Sequence, residues 1–214
     1  MIRYEPRFRA FAMGLSALAG FVDAAGFVLT GGLFVSFMSG NSTRLAVAFA
    51  AGSDLALLAG GLIALFLVGV VAGALLAPWK PAWRKSVVLA FSTMLLMLSA
   101  GLTAADVPVA AAMGLAVAMG SLNNVFLREG EVSIGVTYMT GTLVRAGQRI
   151  AGALRREEPS DWLPYLLLWA SLVGGAVAGA AVAAANMTVC LSVAAALAAV
   201  MTGLANRLEA RRID

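Results

Sequence analysis

Apolar stretches of 18 to 24 residues recur from one end of this 214-residue chain to the other. Each stretch is about long enough to cross roughly 30 Å of hydrocarbon as a helix. Charged residues make up only 12% of the chain, which is about half the roughly 25% of an ordinary soluble domain. The sequence therefore predicts an all-α polytopic membrane protein whose principal partner is the lipid bilayer.

The number of crossings follows from the basic residues between the apolar stretches. Eight stretches can be marked: 10–29, 34–51, 55–77, 86–104, 107–127, 132–150, 162–185 and 187–206. If all eight cross with the N-terminus inside, nine basic residues lie inside and four outside, against the positive-inside rule. If the second and sixth stretches enter and return on one side, the chain crosses six times.

The six-crossing arrangement places thirteen basic loop and terminal residues in the cytoplasm and none outside. They are Arg3, Arg7, Arg9, Lys80, Arg84, Lys85, Arg128, Arg149, Arg155, Arg156, Arg207, Arg211 and Arg212. We therefore expect six transmembrane helices plus two re-entrant segments, with both termini cytoplasmic.

An internal repeat divides the chain into two units. MGLSALAGFVDAAGF at 13–27 aligns with MGLAVAMGSLNNVF at 113–126, and VSFMSGNSTR at 35–44 aligns with VTYMTGTLVR at 136–145. The units are 1–105, with a re-entrant segment at 31–51, and 106–214, with a re-entrant segment at 132–150. Three crossings in each unit force the second to begin on the opposite side of the membrane, so the repeats are predicted to be inverted. Inverted repeats with a midplane site are typical of secondary transporters.

Each re-entrant segment is predicted to combine a short extended stretch with a half-helix. β-Branched and aromatic residues precede Ser39-Gly40-Asn41 in the first unit and Thr140-Gly141-Thr142 in the second, and these blocks supply helix N-cap residues. Irregular backbone inside a membrane is tolerated only where it is buried in protein or lines a watery cavity. We therefore expect the two half-helix N-termini to meet near mid-membrane and to form the substrate site.

Two arginines follow these blocks at matched positions, Arg44 and Arg145. Cations inside membrane segments are costly and are usually functional. Because helical side chains lean toward the N-terminus, both are predicted to reach back to the site. Together with the positive ends of the two helix dipoles, they predict an electropositive pocket for an anionic or carboxylate-bearing solute.

Asp23 is the one carboxylate within a predicted span, and its repeat counterpart is Asn123, with Asn124 beside it. Two roles remain open for Asp23. It could neutralise an arginine in a structural ion pair, or it could bind a coupling proton or sodium ion. The neutral amides of the second unit cannot titrate, which suggests that the two halves differ in duty.

The composition narrows the chemistry further. The chain has no His and one Cys, which excludes a His/Cys metal site, a His-based triad and a disulfide framework. We predict no cofactor and no enzymatic activity. The net charge of +4 is interpreted as orientation charge and does not indicate nucleic acid.

Two Gly-x-x-x-Gly motifs predict close helix packing: Gly69 with Gly73, and Gly175 with Gly179. The sequence leaves open whether these glycines pack within one chain or across a homodimer.

The segments FVSFMSGNSTR, VTYMTGTLVR, GFVDAAGF and GSLNNVF resemble those of the YoaK family of bacterial inner-membrane proteins. The resemblance covers nearly the whole chain. It implies a small polytopic protein of the cytoplasmic membrane and supplies no substrate.

The leading hypothesis is a secondary transporter or facilitator for a small, anionic or carboxylate-bearing solute. A channel with the same constriction is an alternative, as is a non-transporting membrane subunit that binds a partner protein.

Overall fold

The structure is a computed structural model that describes residues 6–128, 131–132, 134–155 and 161–210. Within these ranges there are eight α-helices: α1 Pro6–Leu29, α2 Met38–Ala50, α3 Leu55–Leu76, α4 Arg84–Ala104, α5 Pro108–Leu122, α6 Met139–Leu154, α7 Leu163–Ala185 and α8 Met187–Ala210. A 3-10 turn at Pro81–Trp83 leads into α4, and β1 (Leu127–Arg128) pairs with β2 (Glu131–Val132) in a small hairpin. Of the basic residues predicted to face the cytoplasm, Arg3, Arg156, Arg211 and Arg212 lie outside the described residues.

Five of the described helices are long and apolar enough to cross a membrane: α1, α3, α4 with its 3-10 turn, α7 and α8. The predicted segment 107–127 forms a shorter helix, α5, of 15 residues. At 1.5 Å per residue this helix is about 22 Å long, less than the hydrocarbon thickness of roughly 30 Å.

Side-chain amides end α5 early. The Asn123 Nδ2 donates to the carbonyl oxygen of Met119 at 3.0 Å, and the Asn124 Nδ2 donates to that of Ser121 at 3.3 Å. Amide side chains that bond nearby carbonyls compete with the helical ladder. The chain continues from this point as turns and the small hairpin, whereas α1 stays helical for a further turn and a half beyond Asp23.

Helices α4 and α8 pack antiparallel. At one end, the Glu209 carboxylate accepts the backbone N–H groups of Lys85 at 2.8 Å and Ser86 at 3.1 Å. Further along, the hydroxyls of Thr93 and Thr202 lie 3.1 Å apart. The start of α1 joins the same end of the bundle, because the Lys85 Nζ lies 5.7 Å from the centre of the Phe8 ring.

Two other helix pairs, α1 with α7 and α3 with α5, are parallel and make very close contact. A Cβ atom at Gly175 would overlap the carbonyl oxygen of Ala17, and one at Gly179 would overlap that of Phe21. In the second pair, Gly69 approaches Val117 and Gly73 approaches Ser121 in the same way. Both Gly-x-x-x-Gly motifs therefore pack within this chain.

These contacts recur at fixed offsets along the sequence. Gly20 approaches the Leu172 carbonyl, and Gly120, 100 residues later, approaches that of Phe66. The contact of Gly175 with Ala17 likewise has its copy in the contact of Gly69 with Val117. Each close approach in one pair thus has a counterpart in the other.

The buried core lies among α1, α4, α5 and α8, and side chains of the two non-helical segments complete it. In contrast, α3 and α7 are apolar on nearly every side and bury few side chains. A helix of this kind is suited to contact lipid with most of its surface.

The glycine contacts generate a stability prediction. Gly175→Ala forces the α1 and α7 backbones apart, and we expect it to lower the free energy of unfolding by about 1–3 kcal/mol or more. The neighbouring Gly174 has open space around its Cβ position, so Gly174→Ala is the matched control. It should be neutral or stabilising by up to about 1 kcal/mol, since alanine favours helix. Thermal unfolding of both variants in detergent measures the difference, and equal losses would contradict the close contact.

Candidate functional site

A non-helical segment after α1 folds back along that helix. Gly31 and Gly32 have φ values of +68° and +126°, which glycine adopts most readily and which reverse the chain. The Asp23 Oδ1 then accepts the N–H groups of Val35 at 2.9 Å and Ser36 at 2.7 Å. Asp23 lies six residues before the end of α1 at Leu29, so the segment returns about 9 Å along α1.

The corresponding segment before α6 is held in a similar way. The Thr137 hydroxyl donates to the Asn123 Oδ1 at 2.9 Å. The Ser16 hydroxyl, near the middle of α1, contacts the carbonyl oxygens of Val136 at 3.3 Å and Leu168 at 3.1 Å. Asp23 and Asn123 thus bond equivalent positions, since Asp23 accepts the backbone N–H of the residue two before α2 and Asn123 accepts the hydroxyl of the residue two before α6.

Helices α2 and α6 begin two residues earlier than N-caps at Ser39 and Thr140 would place them. Helix α2 starts at Met38 and α6 at Met139, and the N-cap positions are Phe37 and Tyr138, which make no side-chain cap bond. Ser39-Gly40-Asn41 and Thr140-Gly141-Thr142 therefore occupy the first turns. The preceding backbone explains the difference, because the N–H of Met38 already bonds the Ser36 carbonyl at 3.1 Å and that of Met139 bonds the Thr137 carbonyl at 3.0 Å.

The two helix starts meet at one cavity of about 280 Å³, which we call the tip cavity. Its lining comes from both segments and from one residue of α3: Ser36, Phe37, Met38, Ser39, Phe66, Thr137, Tyr138, Met139, Thr140 and Gly141. The predicted residues Ser39, Thr140 and Gly141 are in this set. No carboxylate or cation is in it.

Backbone donors without partners surround the tip cavity. The N–H groups of Ser39, Gly40, Thr140 and Gly141 have no hydrogen-bond acceptor among the described residues. They are the orphan donors that every helix start leaves, and they carry the positive end of the helix dipole. Three of these groups, those of Ser39, Thr140 and Gly141, belong to residues that line the tip cavity and make it a place for an acceptor with negative charge.

The other predicted residues of these blocks support the backbone. Asn41 is fully buried; its Oδ1 accepts the Phe34 N–H at 2.9 Å and its Nδ2 donates to the Phe34 carbonyl at 2.6 Å. The Thr142 hydroxyl bonds the Tyr138 carbonyl at 3.1 Å. Gly40 lies against the rings of Phe37 and Phe34, which leave no room for a side chain.

Neither arginine lines the tip cavity, contrary to the prediction. The Arg44 guanidinium lies 5.3 Å from the centre of the Phe27 ring and 5.7 Å from that of Phe34. A desolvated guanidinium gains from such ring contacts, which explains why it turns to the aromatic pair. Arg145 is exposed and has no hydrogen bond or ion pair among the described residues.

The predicted ion pair between Asp23 and an arginine is absent from the described part of the chain. The Asp23 carboxylate bonds backbone N–H groups, as described above, and also borders a groove of about 490 Å³ between α1 and α7. Asn124, with its repeat counterpart Ala24, bridges to α3 by donating to the Val70 carbonyl at 3.0 Å. Two backbone donors satisfy one carboxylate oxygen without a cation.

Sequence reasoning missed several residues of this site. Ser16, a polar residue in an apolar span, offered a signal, and so did the aromatic match of Phe37 with Tyr138 across the repeat. Phe66 offered none, since nothing distinguishes it within an apolar helix.

The bonds to Asp23 predict how its variants behave. Asp23→Ala leaves the buried N–H groups of Val35 and Ser36 without their acceptor, at a cost of about 1–3 kcal/mol for each. Asp23→Asn keeps a carbonyl acceptor, as Asn123 does naturally, and should cost about 1 kcal/mol. Thermal unfolding in detergent tests the order, with the exposed Asp54→Asn as a control that changes nothing. Equal stability of Asp23→Ala and the unsubstituted protein would contradict this role.

Comparisons with known proteins cover almost the whole chain. A family model described as "Protein of unknown function (DUF1275)" matches residues 11–204. The chain is also 31% identical over 202 residues to the UPF0700 transmembrane protein RA0705 of Rhizobium meliloti strain 1021, covering 94% of this chain and 88% of the relative. No solved structure matches the chain.

The resemblance to the YoaK family is confirmed, because that family is part of DUF1275. The transmembrane relative and the five long apolar helices both indicate that the chain lies in a membrane. The chain is a multi-pass membrane protein that belongs to the DUF1275 family of proteins of unknown function.

Proposed function

We propose that this protein is a secondary transporter or facilitator of the bacterial inner membrane, and that it binds a small anionic or carboxylate-bearing solute in the tip cavity. The observation that carries the proposal is the meeting of two helix N-termini at one cavity, where three lining residues have backbone N–H groups with no partner among the described residues. The exposed hydroxyls of Ser39 and Thr140 add donors there. No cofactor or catalytic group is invoked.

Helix directions support six crossings with two re-entrant segments. If every helix crossed, α4 and α8 would be the fourth and eighth crossings and would run in the same direction. They are antiparallel, and α1 begins at the end of the bundle where α4 begins. One segment in each half therefore enters and returns. In the first half it is the 13-residue α2. In the second half it is α6, since α5 runs parallel to the long helix α3 and in close contact with it. In this arrangement α5 and the turn after it make the remaining crossing, and both termini are cytoplasmic.

The matched glycine contacts support two repeats, 1–105 and 106–214. When the two halves are exchanged, α1 takes the place of α5 and α7 takes the place of α3. The glycines of one pair then contact the same carbonyl groups as the glycines of the other pair. Three crossings in each half make the repeats inverted. A site between inverted repeats is available to both sides of the membrane in turn.

The same contacts suggest what moves. The α1–α7 and α3–α5 pairs are each too tightly packed to slide internally, so each behaves as a rigid body. The first half-helix is anchored to α1 through Asp23, while the cavity wall at Phe66 belongs to α3. A small rotation of one pair against the other would open the tip cavity to one side and close it to the other.

Asp23 is the proposed coupling group of this transporter. Among the described residues it is the one carboxylate away from the ends of the long apolar helices, it fixes the first segment beside the cavity, and its counterpart Asn123 cannot change charge. We expect Asp23→Asn to keep exchange of solute across the membrane and to lose accumulation against a gradient.

The role of the tip cavity in solute binding can be tested by filling the cavity with a larger side chain. Gly141 lines the cavity and has open space at its Cβ position, so Gly141→Leu should fold normally and abolish solute binding. Gly147→Leu, on the same helix and equally open but outside the lining, is the matched control. The measurement is a thermal-shift screen of purified protein against inorganic anions and small carboxylates, followed by uptake into proteoliposomes. A ligand at 100 times its Kd should stabilise the protein by about 2.7 kcal/mol.

We expect the stabilisation and uptake to vanish in Gly141→Leu and to persist in Gly147→Leu. Equal loss or equal retention in both variants would remove the tip cavity from the function. Sustained single-channel currents in place of saturable exchange would indicate a channel.

A further inference from the structure

The half-helix α6 carries a polar surface that is unusual for a segment inside a membrane. Arg145, Gln148 and Arg149 are all exposed, and their spacing of three and four residues places them on one side of the helix. Arg145 and Arg149 have no hydrogen bond or ion pair among the residues the structure describes. We call these three residues the α6 polar face.

The depth of the α6 polar face makes contact with lipid costly. Helix α6 starts at the tip cavity and runs to Leu154. Arg145 lies about 9 Å along the helix and Arg149 about 15 Å, so the row extends from the cavity toward the cytoplasmic surface. A guanidinium facing hydrocarbon at the depth of Arg145 costs at least about 2.5–3.5 kcal/mol. This surface must therefore face water or a polar partner.

The first half of the chain has no equivalent surface. An offset of 101 relates Arg145, Gln148 and Arg149 to Arg44, Val47 and Ala48. The Arg44 guanidinium lies against the rings of Phe27 and Phe34, and Val47 and Ala48 are apolar. The polar residues of α6 thus have no counterparts in the aligned positions of α2, which points to a requirement on the α6 side of the membrane alone.

We propose that the α6 polar face lines a water-filled vestibule that leads small oxyanions, carboxylates or phosphates, from the cytoplasm to the tip cavity. Gly141, which lines the cavity, lies in one row with Arg145 and Arg149 at spacings of four residues. The Arg145 side chain leans toward the helix N-terminus and so toward the cavity. Two like charges four residues apart repel each other until an anion lies between them, which favours bidentate capture of an oxyanion. The inference rests on the proposed re-entrant topology.

Cysteine labelling in membranes tests the vestibule without any knowledge of the solute. The single native cysteine, Cys190, is buried and is first replaced by alanine. Gln148→Cys is then exposed to membrane-impermeant methanethiosulfonate reagents added to right-side-out or inside-out vesicles. Val47→Cys, the exposed counterpart on α2, is the matched control.

We expect Gln148→Cys to react only from the cytoplasmic side and Val47→Cys to react from neither side. A negatively charged reagent should react faster than a positively charged one. Replacing both arginines with glutamine should lower this rate ratio by roughly five- to tenfold for each charge removed, as expected for unit charges about 6 Å apart in water. Folding of each variant is checked by its thermal transition.

Three results would overturn the vestibule. A lack of reaction at Gln148→Cys in both orientations would place the face in lipid, and disulfide cross-linking between two Gln148→Cys chains would show that a second copy covers it. Equal reaction of Val47→Cys would show that labelling reflects general exposure. The labelling experiment needs no solute, so its result is independent of the solute-binding test. If Gln148→Cys does not react, the proposal that the tip cavity binds a solute is still open to its own test. If Gln148→Cys reacts as expected, the vestibule is supported even when no solute is transported.

Discussion

Backbone groups inside a bilayer must find hydrogen-bond partners within the protein, and the polar architecture of this chain follows from that requirement. Nearby side chains bond the backbone of the two non-helical segments, which have few backbone partners of their own. The Thr30 hydroxyl accepts the Leu33 N–H at 2.9 Å, Asn41 pairs with both backbone groups of Phe34, and Asp23 takes the next two N–H groups. Ser16 and Asn123 serve the second segment. Most polar side chains within the apolar helices are thereby committed to structure.

Some backbone donors remain without a partner. The N–H groups at the starts of α2 and α6 are the backbone donors around the tip cavity that no described residue satisfies. Helix starts left open at a cavity whose lining holds no carboxylate are poised for an anion supplied from outside the protein. The proposed function and the proposed vestibule are two consequences of this same positive potential in the middle of the fold.

The two halves of the chain share some structural features and differ in others. The glycine contacts, the bonds from Asp23 and Asn123, and the aromatic N-cap positions recur in both halves. Two of the positions that differ carry charge in one half alone: a carboxylate at Asp23 stands against an amide at Asn123, and a guanidinium at Arg149 stands against a methyl group at Ala48. A purely structural role would need the same residue in both halves. We therefore expect the direction and the ion coupling of transport to depend on such differences.

The sequence by itself determined the positions of the apolar helices, the two short interrupted segments, and the blocks that meet at the tip cavity. These features depend on segment length, hydropathy and local backbone preference, which neighbouring residues encode. Only the tertiary structure decided that Arg44 turns to Phe27 and Phe34, that Asn41 supports Phe34, that Phe66 walls the cavity, and that the glycine motifs pack within one chain. These contacts depend on how each helix is rotated about its axis. A helix such as α3, apolar on every side, has no hydrophobic stripe from which its rotation could be deduced.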